Sequence, residues 1–310
     1  MTQEITQPAA PGLLFKRVTV SARDQRIFIG KLVILVAMIV SGVLLALQDS
    51  WLPLVAGIVL LGAAYTHAVE LQHQCLHHSA FVKPLPHRIV GVPLGLPLLV
   101  GYTHYRVRHL QHHRYLGTPM DSEFFGFDTR QPLTWRTLAR GLFDYPRLFS
   151  VMQDIGRSAR GTWQYGIGQI SDKHRRSIIA EHLLLGALLI VVAAVCALGG
   201  GEYVLRLWLA PLLLVAVPLH FIVELPEHIL CDTESTDVLV NTRSIRGSWF
   251  STWFTNGNNL HIEHHAAMNV PINRLGERHL ETEVFGKHVE RSYPDFFRVV
   301  VREVAANSGR

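Results

Sequence analysis

Four stretches of the chain, Leu32 to Gln48, Trp51 to Ala68, Leu183 to Gly201 and Leu207 to Val223, contain no Asp, Glu, Lys or Arg. Each is close to the shortest apolar run that can cross a bilayer as a helix, about 17 residues. Lipid offers no partner for backbone N–H and C=O groups, so a run of this kind must satisfy them internally as a helix. Composition agrees: 49% of residues are hydrophobic and 17% charged, below the roughly 25% charged of soluble domains. Only Asp49 and Ser50 separate the first two runs, and a few residues around Glu202 and Tyr203 separate the last two. The expected fold is an all-α membrane protein with four spans, at about 32–48, 51–68, 183–201 and 207–223, in two tight hairpins that leave both termini on one side.

Loop charge orients the chain. Residues 129–176 carry nine Lys or Arg against three Asp, whereas the two short connections hold Arg206 alone. The positive-inside rule then predicts that both termini and the middle segment are cytoplasmic. A fifth apolar run, 89–102, is shorter and carries Gly91, Pro93, Gly95 and Pro97; it reads as re-entrant or interfacial. Residues 135–163 mix Arg with Trp, Leu and Phe, a pattern shared by interfacial amphipathic helices and by ordinary solvated helical faces. One domain is expected, with residues 1–28 as a short cytoplasmic tail and a helical cap from 69–180 and 224–310.

Several classes are excluded. The net charge of +5 is not organised into a basic module, so nucleic acid is not an expected partner. Cys75, Cys196 and Cys231 are widely spaced with no CxxC, which indicates neither a disulfide framework nor a thiolate zinc site. The N-terminus lacks an early apolar run with a cleavage site, so no removable signal peptide is expected.

Any metal must therefore be held by histidine. Nine of the 18 His fall in three clusters: HQCLHH (His73, His77, His78), HLQHH (His109, His112, His113) and HIEHH (His261, His264, His265). On a helix, residues i, i+3 and i+4 share one face, so each HxxHH presents three imidazoles together. Eight converging imidazoles exceed the four positions of a tetrahedral zinc and point to two ions, with iron favoured. The predicted topology puts all three clusters on the same side of the membrane.

At these residues the chain resembles the integral-membrane fatty acid desaturase and hydroxylase superfamily, marked by HxxxH, HxxHH and HxxHH boxes in this order. HQCLHHSAF and RHLQHHRYLGTPMDSEFF are similar to the first-box and second-box regions of sphingolipid desaturases, and NTRSI followed by NNLHIEHH to a bacterial branch of acyl desaturases. The resemblance runs from about Glu70 to about His279. It implies His73, His77, His109, His112, His113, His261, His264 and His265 as ligands, with His228 as a further one and His78 as a neighbour of the centre. Asp121, Glu123, Asp232, Asp237 and Glu263 are candidates to hold the second nitrogens of ligating rings. Asn256, Asn258 and Asn259 are expected to cap the third-box helix or to hydrogen-bond near the metals. Arg243 is expected to face a head group or lipid phosphate, Pro226 to end the helix bearing His220 and Glu224, and His67 and His182 to reach into the interface outside the site.

The resemblance further implies two Fe ions, O2 as co-substrate, a fatty acyl or related lipid substrate in the membrane, and desaturation as the reaction. Hydroxylase, ketolase, acetylenase or decarboxylase outcomes stay open on the same scaffold, as does a non-enzymatic metal-binding protein. No heme-binding, dinucleotide-binding or iron-sulfur motif is present, so the electrons are expected from an external ferredoxin or cytochrome b5-like carrier with its reductase.

Overall fold

A computed structural model describes residues 10–122 and 130–308. The chain is predominantly helical: α1 Ala22–Ala46, α2 Trp51–Leu76, α3 Leu85–Gly95, α4 Tyr102–Tyr115, α5 Trp135–Leu142, α6 Tyr145–Ala159 and α7 Asp172–Val195 are followed by further elements. These include α8 Val217–Glu224, α9 Trp249–Phe254, α10 His261–Ala266, α11 His279–Phe285 and the C-terminal α12 Tyr293–Ser308. Two three-residue strands, β1 Arg243–Ile245 and β2 His288–Glu290, pair in parallel, with Ser244 opposite Val289. Beside the helices this pair is minor, and the architecture is that of the expected all-α fold.

Among the described residues three helices are long and apolar enough to cross a membrane: Ala22–Ala46, Trp51–Leu76 and the helical segment Asp172–Glu224. Their outward faces carry exposed apolar side chains, among them Val33, Val36, Leu44, Ile190 and Leu198, as expected of surfaces that meet lipid tails rather than water. The chain is a membrane protein. α1 starts at a reciprocal cap, in which Ser21 Oγ accepts from Asp24 N at 3.2 Å and Asp24 Oδ2 accepts from Ser21 N at 2.9 Å. α1 and α2 pack closely because Gly57 has no side chain: a Cβ there would lie 2.3 Å from Ala46 N.

The third and fourth expected runs lie in one helical segment of 53 residues, interrupted at Gly199, where φ is +91°. A straight helix would put His182 and Leu213 about 46 Å apart at 1.5 Å per residue. Yet Ser158 Oγ lies 2.8 Å from His182 Nδ1 and Tyr145 Oη donates to Leu213 O at 3.0 Å, and along α6 those two anchors are only about 20 Å apart. The segment therefore doubles back at Gly199, a conformation that glycine adopts readily. Its returning limb packs on α2, where Tyr65 Oη donates to Leu207 O at 2.5 Å and Gly62 faces Val215.

The structure adds detail to three of these regions. Residues 10–21 are packed against the rest of the chain: Leu14 is fully buried, and the Leu13 and Leu14 amides donate to the Glu281 carboxylate at 2.7–2.9 Å. α2 continues past Ala68, where the expected span ends, to Leu76, with its last thirteen residues buried. The run 89–102 consists of the end of α3, a 3-10 turn Leu96–Leu98 and Leu99 at φ +57°, after which α4 begins. Ser150, Gln153 and Asp154 of α6 border a cavity of about 280 Å³ beside His104 and Trp163, while Phe149 and Met152 are exposed.

The α1–α2 contact is the simplest part of this packing to test. A Gly57→Val substitution places methyls against the α1 backbone, and overpacking of this kind costs about 1–3 kcal/mol. The purified variant is expected to melt at a lower temperature than the parent in mild detergent; an unchanged midpoint would mean that the two helices do not touch there.

Candidate metal centre

The three clusters reach one place from different directions. α2 ends in the first: His73 lies in its last turn and His77 is its C-cap, at φ −82°. α4 carries the second, with His109, His112 and His113 on one face as the i, i+3, i+4 spacing dictates. α10 is only six residues long and holds His261, His264 and His265, all of its first five residues being buried. His228 comes from the turn after α8. That turn is clamped by Arg243, whose guanidinium donates to Pro226 O at 3.1 Å and Ile229 O at 2.5 Å and whose amide donates to Glu227 O at 2.9 Å.

The nine imidazoles fall into two groups, His73, His77, His109, His113 and His264 in one and His112, His228, His261 and His265 in the other. Within each group one ring nitrogen of every residue lies within 4.8 Å of all the others. In the first, Nε2–Nε2 separations are 2.7 Å for His73–His109, 2.8 Å for His77–His109 and 3.0 Å for both His109–His113 and His113–His264. In the second they are 3.1 Å for His112–His228, 3.2 Å for His228–His261 and 3.1 Å for His261–His265. His113 and His264 stand in the first group, next in sequence to His112 and His265 of the second, so α4 and α10 each contribute to both.

What orients the rings is visible on their far sides. His112 Nδ1 is 2.7 Å from Asp121 Oδ1, His228 Nδ1 is 3.0 Å from Asn241 O and His261 Nδ1 is 3.0 Å from Asn258 Oδ1. All three partners are acceptors, so each Nδ1 carries hydrogen and each Nε2 presents a lone pair to the centre. Burial first, then neighbouring imidazoles, holds His109, His113, His261, His264 and His265 well below the usual histidine range; His228 is pushed down to about 3. Lone pairs aimed at one another at about 3 Å repel unless a cation sits among them. With metal–nitrogen bonds of about 2.1 Å, adjacent ligands of a six-coordinate ion stand about 3.0 Å apart, and those of a tetrahedral ion about 3.4 Å. The separations fit the first, and a group of five does not fit a tetrahedron at all. The residues present thus suit transition-metal ions that accept imidazole in five or six positions.

Several expected neighbours lie elsewhere. His78 takes a left-handed conformation, φ +54°, which turns it outward to stack on His87 at 4.7 Å. Glu123 lies outside the described residues. Asp232 Oδ1 accepts from the Glu234 and Ser235 amides, and Asp237 caps the short helix Val238–Asn241. Glu263 is fully buried but faces away from the centre, 2.6 Å from His279 Nδ1 and accepting from Ser244 Oγ at 2.5 Å, so it pins α10 to α11 and β1. Asn256 Nδ2 donates to Glu70 O and Gln74 Oε1, and Asn259 Nδ2 to Ile245 O; no asparagine caps α10, whose N-cap is Leu260 without a side-chain bond. Arg243, 3% exposed, grips backbone rather than lipid. His67 is fully buried with Nδ1 2.6 Å from Phe254 O, and His182 is bound to Ser158, so neither reaches into the interface.

Glu227 is the residue that sequence reasoning missed. Its Oε2 is 3.3 Å from His261 Nε2, and its Oε1 accepts from Asn258 Nδ2. The available signal was an acidic residue directly before His228; adjacent residues normally point apart, and only the clamped turn brings both inward. A further set, buried Glu70 and His220 with partly buried Glu224, joins α2 to α8, which ends at Glu224, two residues before Pro226.

The model of the family described as fatty acid desaturase matches residues 49–294. Dihydrorhizobitoxine desaturase of Bradyrhizobium elkanii is 26% identical over 258 residues, which cover 76% of this chain and 69% of that protein. The family match runs from just before α2 to the start of α12 and takes in all nine converging histidines; the chain belongs to the fatty acid desaturase family of lipid-modifying oxidoreductases.

Proposed function

We propose that the protein is an O2-dependent di-iron oxidoreductase that introduces a double bond into a fatty acyl or related lipid chain. The observation that carries this reading is the pair of adjacent nitrogen groups, five imidazoles and four. His73, His77, His109, His113 and His264 would hold one iron and His112, His228, His261 and His265 the other. Bound there, the irons supply the redox chemistry that removes two vicinal hydrogens from an unactivated chain and reduces O2 to water. The balance is one O2, two electrons and two protons, giving one C=C bond and two waters.

The chain's own part is orientation and exclusion of water. Asp121, Asn241 O and Asn258 hold three rings from behind, and the buried end of α2 closes the centre from the membrane side. We read four spans in two hairpins, with the doubled-back segment supplying the second, the histidine-bearing elements gathered in a cap, and the termini and centre cytoplasmic. A ferredoxin or cytochrome b5-like carrier with its reductase would deliver the electrons, and the basic middle segment suits an acidic carrier. Oxygen insertion is the alternative outcome on the same centre; the relative whose name is that of a desaturase favours loss of hydrogen.

Metal analysis tests the centre directly. The purified parent is expected to hold about two irons per chain, and the double variant His112→Ala with His264→Ala, which removes one ring from each group, close to none. A single zinc, or iron unchanged by the substitutions, would sink the reading. Lipids from expressing cells, compared by mass spectrometry, are expected to lose two hydrogens; a gain of one oxygen would assign the hydroxylase outcome.

Asp121→Asn probes the support behind His112. The amide retains an acceptor but loses the charge, and removal of such outer contacts weakens metal affinity or activity roughly 10–100-fold. Iron retention against a chelator should fall within that range while the fold, judged by its melting transition, persists; equal retention would show that Asp121 does not support the ligand.

A further inference from the structure

Another set of metal-binding side chains shares no residue with the nine-histidine centre: His104, Asp154 and His182, each of which brings one ligand atom within 4.8 Å of the other two. The same bound holds within each group of the centre. The three residues come from three helices, α4, α6 and α7, so tertiary packing rather than helical spacing brings them together.

Two imidazoles and one carboxylate are a donor set that divalent zinc and iron accept, with one or more positions left for water. The surroundings suit that use. Burial first, then His182 and Arg108, push His104 down to about 3, so at neutral pH its ring is uncharged and keeps a lone pair for an ion. His182 is 3% exposed, and Ser158 Oγ lies 2.8 Å from its Nδ1, an outer contact of the kind that sets the orientation of a ligating ring. Trp163 packs edge-on against both rings, its centroid 5.6 Å from that of His104 and 5.3 Å from that of His182, and so limits their rotation. Asp154 Oδ1 is 3.5 Å from the half-exposed guanidinium of Arg157. An exposed pair of this kind is weak, and a carboxylate accepts at both of its oxygens.

A cavity of about 280 Å³ adjoins the set, bordered by His104 and Asp154 together with Gln153 and Tyr165. Polar groups on its wall let water enter and complete the coordination of an ion. Arg108 and Arg157 also border it, which favours an anion such as hydroxide on the ion's open side.

We propose that His104, Asp154 and His182 bind one divalent ion of the zinc class, separate from the iron centre, with its open side toward this cavity. The ion ties α4 to α6 and α7. His104 stands five residues before His109, near the start of α4, so an anchor there steadies the second-box helix from its N-terminal end. The proposal does not depend on which metals the nine histidines hold.

The test uses full-length protein in mild detergent, purified without zinc and then titrated with Zn2+, as parent, Asp154→Asn and His104→Ala. Zinc and iron per chain are read by mass spectrometry, and the ligands of the zinc by X-ray absorption. The parent should take up about one zinc in addition to its iron, with two imidazoles in the zinc shell, and its melting temperature should rise on zinc binding. Both variants should bind zinc at least about tenfold more weakly, with iron content unchanged. Unchanged iron also reports an intact fold, and Asp154→Asn, which keeps the size of the side chain, decides the matter if His104→Ala does not fold. A parent that takes up no zinc would overturn the proposal. Equal uptake by parent and variants would do the same, as would a zinc shell of four or more imidazoles, which places the ion in the nine-histidine centre. A protein that takes up this zinc but holds no iron would keep the proposal and remove the two-iron reading.

Discussion

Nine imidazoles whose nitrogens face one another in the interior form an arrangement that repels itself. Burying a polar group without a partner costs free energy, and here the partners of the inward nitrogens are other lone-pair donors about 3 Å away. The surrounding protein must hold the rings in place, and most of the features around the centre do so. Asp121, Asn241 and Asn258 fix ring tautomers from outside, Arg243 ties down the turn that carries His228, and Glu263 anchors α10 through Ser244 and His279.

That demand also explains the mixture of secondary structures. α2, long and apolar enough to cross a membrane, supplies His73, and the 14-residue α4 carries the second box, but the third box sits on a helix of six residues, too short to be stable by itself. Its position comes from the contacts at its ends. The three-residue strand β1 is one of them: Ser244 Oγ donates to Glu263 and accepts from the Ile262 amide at 2.9 Å. The small sheet thus serves as a bracket behind the third box rather than as a core of its own.

Much of this was legible in the residues. The apolar runs located the long helices, helical spacing of histidine located eight of the rings that converge, and the family resemblance located the ninth, His228. The features that stayed hidden depend on backbone geometry that spacing does not encode. His78 follows His77 directly, yet a left-handed conformation turns it outward; Glu227 precedes His228, yet a clamped turn carries it inward. Arg243 read as an interfacial cation because charge near a membrane usually meets lipid phosphate, whereas here three backbone carbonyls take up its donors. The third and fourth runs were separable by composition, but the reversal at Gly199 within one helical segment is a matter of a single φ angle.

The length of α2 links the membrane to the chemistry. Its 26 residues extend about 39 Å, against about 30 Å of hydrocarbon. The surplus is close to two turns, and those turns include His73, with His77 immediately beyond. Because the helix is continuous, a span that fixes depth in the bilayer also fixes the height of the first two rings above the hydrocarbon boundary. α4 and the returning limb of the doubled-back segment pack on the same helix, so the second-box rings take their height from it too. A lipid chain would then meet the centre at a set distance from the membrane surface, and the position of attack along that chain would follow from helix length as much as from any residue that touches the substrate.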